Sequence, residues 1–266
     1  MCTVVILRRP GHDWPLILAA NRDEMTGRPW LPPARHWSER AEVIAGQDTL
    51  AGGTWLGLND WGVIAGILNR PGSLGPDAEL RSRGELPLEA LDHAEAAVAA
   101  EAMAAVDAAS YRSFNLVIAD AAQAFWIRSP GNGEPISMTA IPEGVSMITA
   151  HDLNDATSPR IQRYKPQFEA ARPPDPVAGD WAEWQILMGD PGDTESFDDA
   201  IDFGRNAMSF TAGATGPNKE GGFATVSSSL LALPDQTRAK GLEKIKPKWL
   251  FAPGHPDQTP FSAVKI

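Results

Sequence analysis

Among 266 residues there is one cysteine, and it is the second, in Met1-Cys2-Thr3. An initiator methionine is generally removed when the next side chain is small, and its loss would leave Cys2 with a free α-amine beside its thiol. Nucleophile and base would then belong to one residue. A thiol of ordinary pKa about 8.5 would sit beside an amine of about 7.7 to 8.0, close enough for a proton to pass between them near neutral pH. Such chemistry needs no histidine. With Met1 retained the base is lost, and Cys2 reads as a small apolar residue opening an edge strand.

A terminal nucleophile must be met by groups from elsewhere in the chain. Thr3 to Arg9 is apolar and β-branched, Pro10 to Asp13 is rich in turn formers, and Leu16 to Ala20 resumes the apolar run, which predicts a hairpin. Antiparallel pairing brings the end of its second strand, Asn21-Arg22-Asp23-Glu24, to the same sheet end as Cys2. Alternation sets Asn21 and Asp23 on one face and Arg22 on the other, so at most two of the three face the Cys2 pocket. A second hairpin, Thr54 to Leu58 and Val63 to Leu68, turns at Asn59-Asp60-Trp61-Gly62 and leaves Asn69 at a strand end.

Farther along, Leu86 to Ala109 carries Leu88, Leu91, Ala94 and Val98 at three- and four-residue spacing, which predicts at least one helix. Phe114 to Ala119 with Ala124 to Arg128 forms a third hairpin, and Val145 to Ala150 and Phe223 to Leu233 read as strands. A short helix over Trp181 to Met188 lies between a Pro-rich loop, Ala171 to Gly179, and an acidic one, Gly189 to Asp202. Hairpin-paired strands with interposed helices predict an α+β fold in which helices cover antiparallel sheets. No repeat or domain-scale linker interrupts the chain, so residues 1–266 read as a single domain.

Composition narrows the partners. A net charge of −11 repels polyphosphate backbones, which argues against nucleic acid. No apolar stretch approaches the roughly 18 residues of a membrane span. The run Thr3 to Leu7 is too short for a signal peptide, and its basic pair Arg8-Arg9 follows the run instead of preceding it. One cysteine cannot form an internal disulfide and suits a reducing compartment. These features predict a soluble, cytoplasmic protein. The five histidines are dispersed without paired short spacing, so no metal site is predicted.

Met1-Cys2-Thr3 followed by Asn21-Arg22-Asp23-Glu24 resembles the NRDE family of transport and Golgi organization proteins. The resemblance continues through Gly53 to Gly57, Asn59 to Asn69, Phe114 to Val117 and Phe223 to Leu231. The same landmarks are similar, more distantly, to the choloylglycine hydrolase and penicillin acylase group of cysteine N-terminal nucleophile hydrolases, which cleave non-peptide amides. That likeness implies a four-layer αββα sandwich. It implies Cys2 as nucleophile and amine base, Asp23 holding the ammonium or thiol, and Asn69 donating to the developing oxyanion. Asn21, Arg22, Trp55 and Asn59 are the implied substrate-binding residues.

This chain departs from the hydrolases at two places and from NRDE relatives at a third. The arginine expected two or three residues before the Asp falls at Ala20. The second oxyanion asparagine expected near Ile148 to His151 is absent, and Thr225-Val226 stands where NRDE relatives commonly have Thr-Arg. The departures favour an alternative from another class, a noncatalytic carrier of a hydrophobic ligand such as haem or acyl-CoA. Trp37, Trp55 and Trp61 flank the motifs and read first as core packing, although an aromatic-walled cleft would suit an acyl chain or a flat hydrophobic ligand. Arg160 and Arg163 have the residue type to bind a carboxylate, but read first as an ordinary helix face. His151-Asp152 reads as a strand-end turn, and Gly52-Gly53 lacks the lysine of a phosphate loop.

Overall fold

The computed structural model describes residues 2–75, 77–192, 206–212, 222–238 and 245–266. Its strands are β1 (Thr3–Arg8), β2 (Leu16–Met25), β3 (Trp30–Ala34), β4 (Val43–Asp48), β5 (Leu56–Asn59), β6 (Ile64–Asn69), β7 (Phe114–Ala119), β8 (Ala124–Ser129), β9 (Ser137–Ala140) and β10 (Gly144–Ile148). Toward the C-terminus come β11 (Thr211–Ala212), β12 (Phe223–Leu233), β13 (Lys248–Ala252) and β14 (Ser262–Ala263). The α-helices are α1 (Glu85–Leu91), α2 (Ala96–Ala104), α3 (Pro159–Ala170) and α4 (Ala182–Met188).

Two antiparallel sheets result. One is ordered β10-β1-β2-β12-β13-β14, with β11 also on β12, and the other is a meander in chain order from β3 to β9. In the first, Thr3 pairs with Asn21, which sets Cys2 beside the end of β2 as the hairpin requires. Alternate side chains of β1 and β2 serve two cores. Val4, Ile6, Leu16 and Leu18 face Ile44, Leu56, Ile64 and Val117 of the meander, whereas Val5, Leu7, Ile17 and Ala19 face α3 and α4. Because both faces are covered, these strands read as unbroken apolar runs.

The outer face of the meander buries Val43, Ala65, Leu116 and Ile118 under Leu88 and Leu91 of α1 and Ala99 and Met103 of α2. The layers are therefore helix, sheet, sheet, helix. On the other side Phe168 and Trp184 meet edge to face at 5.1 Å, joining α3 to α4. Ser158 caps α3 by accepting from the Ile161 N–H, and Pro159 occupies its first turn.

The helical run expected from Leu86 to Ala109 is divided into α1 and α2. The strand β3 was not legible because Pro32 and Pro33 interrupt it, which an edge position tolerates. The acidic loop expected over Gly189 to Asp202 lies largely outside the described residues. Among the described residues no helix is long and apolar enough to cross a membrane.

One close backbone approach fixes the loop ahead of α1. Thr54 N–H donates to Gly84 O at 2.8 Å, and a Cβ on Gly53 would lie 2.4 Å from the Gly84 carbonyl carbon. Backbone meets backbone there, so neither side can give way. Gly53→Ala is expected to cost about 2 kcal/mol, read as a lower urea midpoint with an unchanged slope.

Candidate active site

A cavity of about 520 Å³ opens at the end of the sandwich where β2, β4 and β6 finish and β12 begins. Cys2, Asp23 and Asn69 all border it. The half-buried Cys2 Sγ accepts from Asp23 N–H at 3.4 Å and donates to Asp23 O at 3.6 Å, so the main chain of β2 fixes the sulfur. The Asp23 side chain turns to the helix layer, where Thr225 Oγ1 donates to it at 2.7 Å and Arg160 Nη1 at 3.3 Å. Arg160, 2% exposed, also donates to Thr3 Oγ1. Asn69 stands at the end of β6, and its carboxamide makes no hydrogen bond to another described side chain.

Strand alternation along β2 is as expected, but the face that meets the cavity belongs to Arg22. The gap between the two sheets contains the cavity, and Ala20 and Arg22 point into that gap. Asn21 points to the helices, its Nδ2 donating to Met188 O at 2.9 Å and Met208 O at 2.8 Å. Asn21 is thus absent from the cavity lining, and so is Asn59. The latter is a joint: its Nδ2 donates to Leu91 O and His93 O, and its Oδ1 accepts from the N–H groups of Trp61 and Val63. All of its amide capacity is spent tying the β5–β6 turn to the end of α1.

Trp55 does line the cavity, and the Arg22 guanidinium stacks on it at 4.0 Å. Trp37 is buried beneath α1 and α2, and Trp61 is 55% exposed, so neither joins the wall. Arg22 pairs with Asp48 at 3.5 Å, and Arg28 pairs with the same carboxylate at 2.6 Å. Arg83, Arg81 and Arg112 complete five cavity arginines against four carboxylates, Asp23, Glu24, Asp48 and Asp77.

Burial, and then the charge of Asp23, push the Cys2 thiol up from its ordinary range. It stays protonated at neutral pH unless a base takes the proton. Burial pulls the Arg22 guanidinium down, while an ionised Cys2 favours the charged forms of both Arg22 and Arg83.

Sequence reasoning passed over Arg28, Asp48, Arg83 and Arg112, gave Thr225 no role of its own, and undervalued Arg160. For Arg160 a signal existed. A cation in the first turn of α3, two residues after the Ser158 cap, faces the positive end of the helix dipole and needs a compensating acid elsewhere. That acid is Asp23.

Sheets, helix layers and their order are those of the N-terminal nucleophile hydrolases. The fold is similar to that of the C2A mutant of conjugated bile acid hydrolase from Clostridium perfringens, with a TM-score of 0.51 at 12% identity, covering 100% of this chain and 97% of that one. It is likewise similar to a Caenorhabditis elegans N-acylethanolamine-hydrolyzing acid amidase ortholog, at a TM-score of 0.51 and 12% identity over 86% and 92% of the two chains. Residues 1–176 match the Transport and Golgi organisation 2 family, and the chain belongs to it. The transport and Golgi organization protein 2 homolog of Homo sapiens is 33% identical over 141 residues, 49% of this chain and 50% of that protein. The Mus musculus homolog matches to the same extent. The matched region thus spans about half the length of these curated relatives.

Proposed function

We propose that this chain is a cysteine N-terminal nucleophile hydrolase that cleaves a linear, non-peptide amide, or a thioester, through an acyl-enzyme. The observation that carries the reading is that Cys2 and Asn69, contributed by different sheets, border one cavity. After loss of Met1 the Cys2 α-amine takes the thiol proton, and the thiolate attacks the substrate carbonyl. The Asn69 NH₂ donates to the oxygen that becomes negative. As the tetrahedral species collapses, the C–N bond breaks and the ammonium returns its proton to the leaving amine. Water, deprotonated by the same amine, then hydrolyses the thioester to a carboxylic acid and restores the thiol. Asp23 keeps β1 and β2 in register with the helix layer, and its charge favours the ammonium form of the nearby amine.

Two measurements test this. Intact mass reports loss of Met1, and an acyl adduct on the mature chain should trap at Cys2 after mixing with an activated acyl probe. Asn69→Ala should lower kcat by about 10² to 10³, on the order of 3 kcal/mol, with little change in the mass of the trapped adduct. An unchanged kcat removes the oxyanion role.

The alternative reading, a noncatalytic carrier of haem or acyl-CoA, predicts saturable binding at this cavity without turnover, and Met25, Trp55, Ile67 and Phe223 supply an apolar part of its wall. The free thiol suits a reducing, cytoplasmic setting.

A further inference from the structure

The cavity arginines differ in how they are compensated. Arg22 and Arg28 share Asp48 and Glu24, Arg112 pairs with Asp77, and Arg81 pairs with Glu85 and Glu89. Arg83 has no carboxylate partner among the described residues. Its two hydrogen bonds both leave from Nη1, to Ser73 Oγ at 2.7 Å and Ser113 O at 3.0 Å. The Nε–Nη2 edge, which takes an oxyanion bidentately, makes no bond to any described residue. Burial and the neighbouring Arg112 hold the Arg83 guanidinium down to about 10, as befits a cation lacking its counter-ion.

A second observation points the same way. Arg22 borders the same cavity, is 5% exposed, and has a buried Nη1 without a hydrogen-bond partner. Buried guanidinium N–H groups are costly to leave unmet. In a chain of net charge −11, this cavity holds a surplus cation beside the nucleophile.

We infer that the amide cleaved at this site carries an acidic oxyanion, a carboxylate or a phosphate-type group, held by the Nε–Nη2 edge of Arg83 with Arg22 beside it. The inference rests on the hydrolase reading above for its substrate, and on Arg83 and Arg22 alone for its charge. An acid at Arg83 would supply the missing counter-ion and fix the scissile bond at a set distance from Cys2.

Binding to the full chain carrying Cys2→Ala separates the charge from the chemistry. The probes are N-hexanoylglycine, its phosphonate counterpart N-hexanoylaminomethylphosphonate, adipic acid monobutylamide with the acid on the acyl side, and neutral N-hexanoylglycinamide. By calorimetry at low salt, at least one acid should bind about 30-fold or more tighter than the neutral amide. Its identity distinguishes carboxylate from phosphate-type recognition. Arg83→Gln in the same background should bring acid and neutral probes within about 3-fold of each other, and Arg83→Lys should recover part of the preference as a point charge. Equal binding of acids and neutral amide, no binding of any acid, or a preference that survives in Arg83→Gln overturns the inference. A preference for acids in Cys2→Ala, with no release of amine from them by the Cys2 enzyme, keeps the anion site and removes the hydrolase reading.

Discussion

Cys2→Ala is expected to abolish amide turnover and covalent labelling by an activated acyl probe, with a loss of at least about a thousandfold. Cys2→Ser should fall nearly as far, since a hydroxyl surrenders its proton to an α-amine far less readily than a thiol does. Both variants should fold, because the residue is half-buried at a strand entrance and its sulfur contacts only the Asp23 main chain. The raised thiol adds a pH signature. In protein that keeps Met1, alkylation of Cys2 by iodoacetamide should climb at higher pH than that of a free cysteine peptide, because burial and Asp23 both disfavour the thiolate. Turnover by the alanine variant at the level of the parent would end the proposal.

Arg160→Met is expected to destabilise the protein by roughly 3–5 kcal/mol, measured by denaturant unfolding. The guanidinium is buried, as is the Asp23 carboxylate it meets at 3.3 Å, and removing either partner takes an opposite charge away from a buried ion. Asp23→Leu should cost a similar amount. The double variant Asp23→Leu with Arg160→Met should be more stable than either single one, since neither half of this buried pair is then kept without the other. Single-variant costs below about 1 kcal/mol would show that the pair is not a structural keystone. Turnover separates the roles further: a merely architectural Asp23 would leave the double variant active, whereas a carboxylate that holds the ammonium would not.

Much of the scaffold was legible from the sequence because its strands are simple. The β1–β2, β5–β6 and β7–β8 hairpins appear where apolar runs are split by Pro, Gly, Asn and Asp. The candidate site was legible through residues near those turns and ends, Cys2, Arg22, Asp23, Trp55 and Asn69, all of which border the cavity. What the sequence withheld depends on contacts across long separations. Arg160 reaches Asp23 from 137 positions away and Thr225 from 202. Asn21 and Asn59 carry amide groups that look available in a string of letters, yet nearby carbonyls consume their donors. Arg22 was placed on the right alternate face, but which face opens on the cavity is decided by the other sheet, and no periodicity within β2 reports that.

The pairing order of the first sheet also has a consequence for biogenesis. The meander from β3 to β9 joins only neighbours in the chain, whereas β2 must wait for β12, some 200 residues downstream, before its other edge is closed. On the ribosome the meander can assemble while the β1–β2 ribbon is still half unsheltered. The sheet end that carries Cys2 therefore stays open through most of translation, and the cavity it borders gains its Phe223 wall only once β12 has emerged.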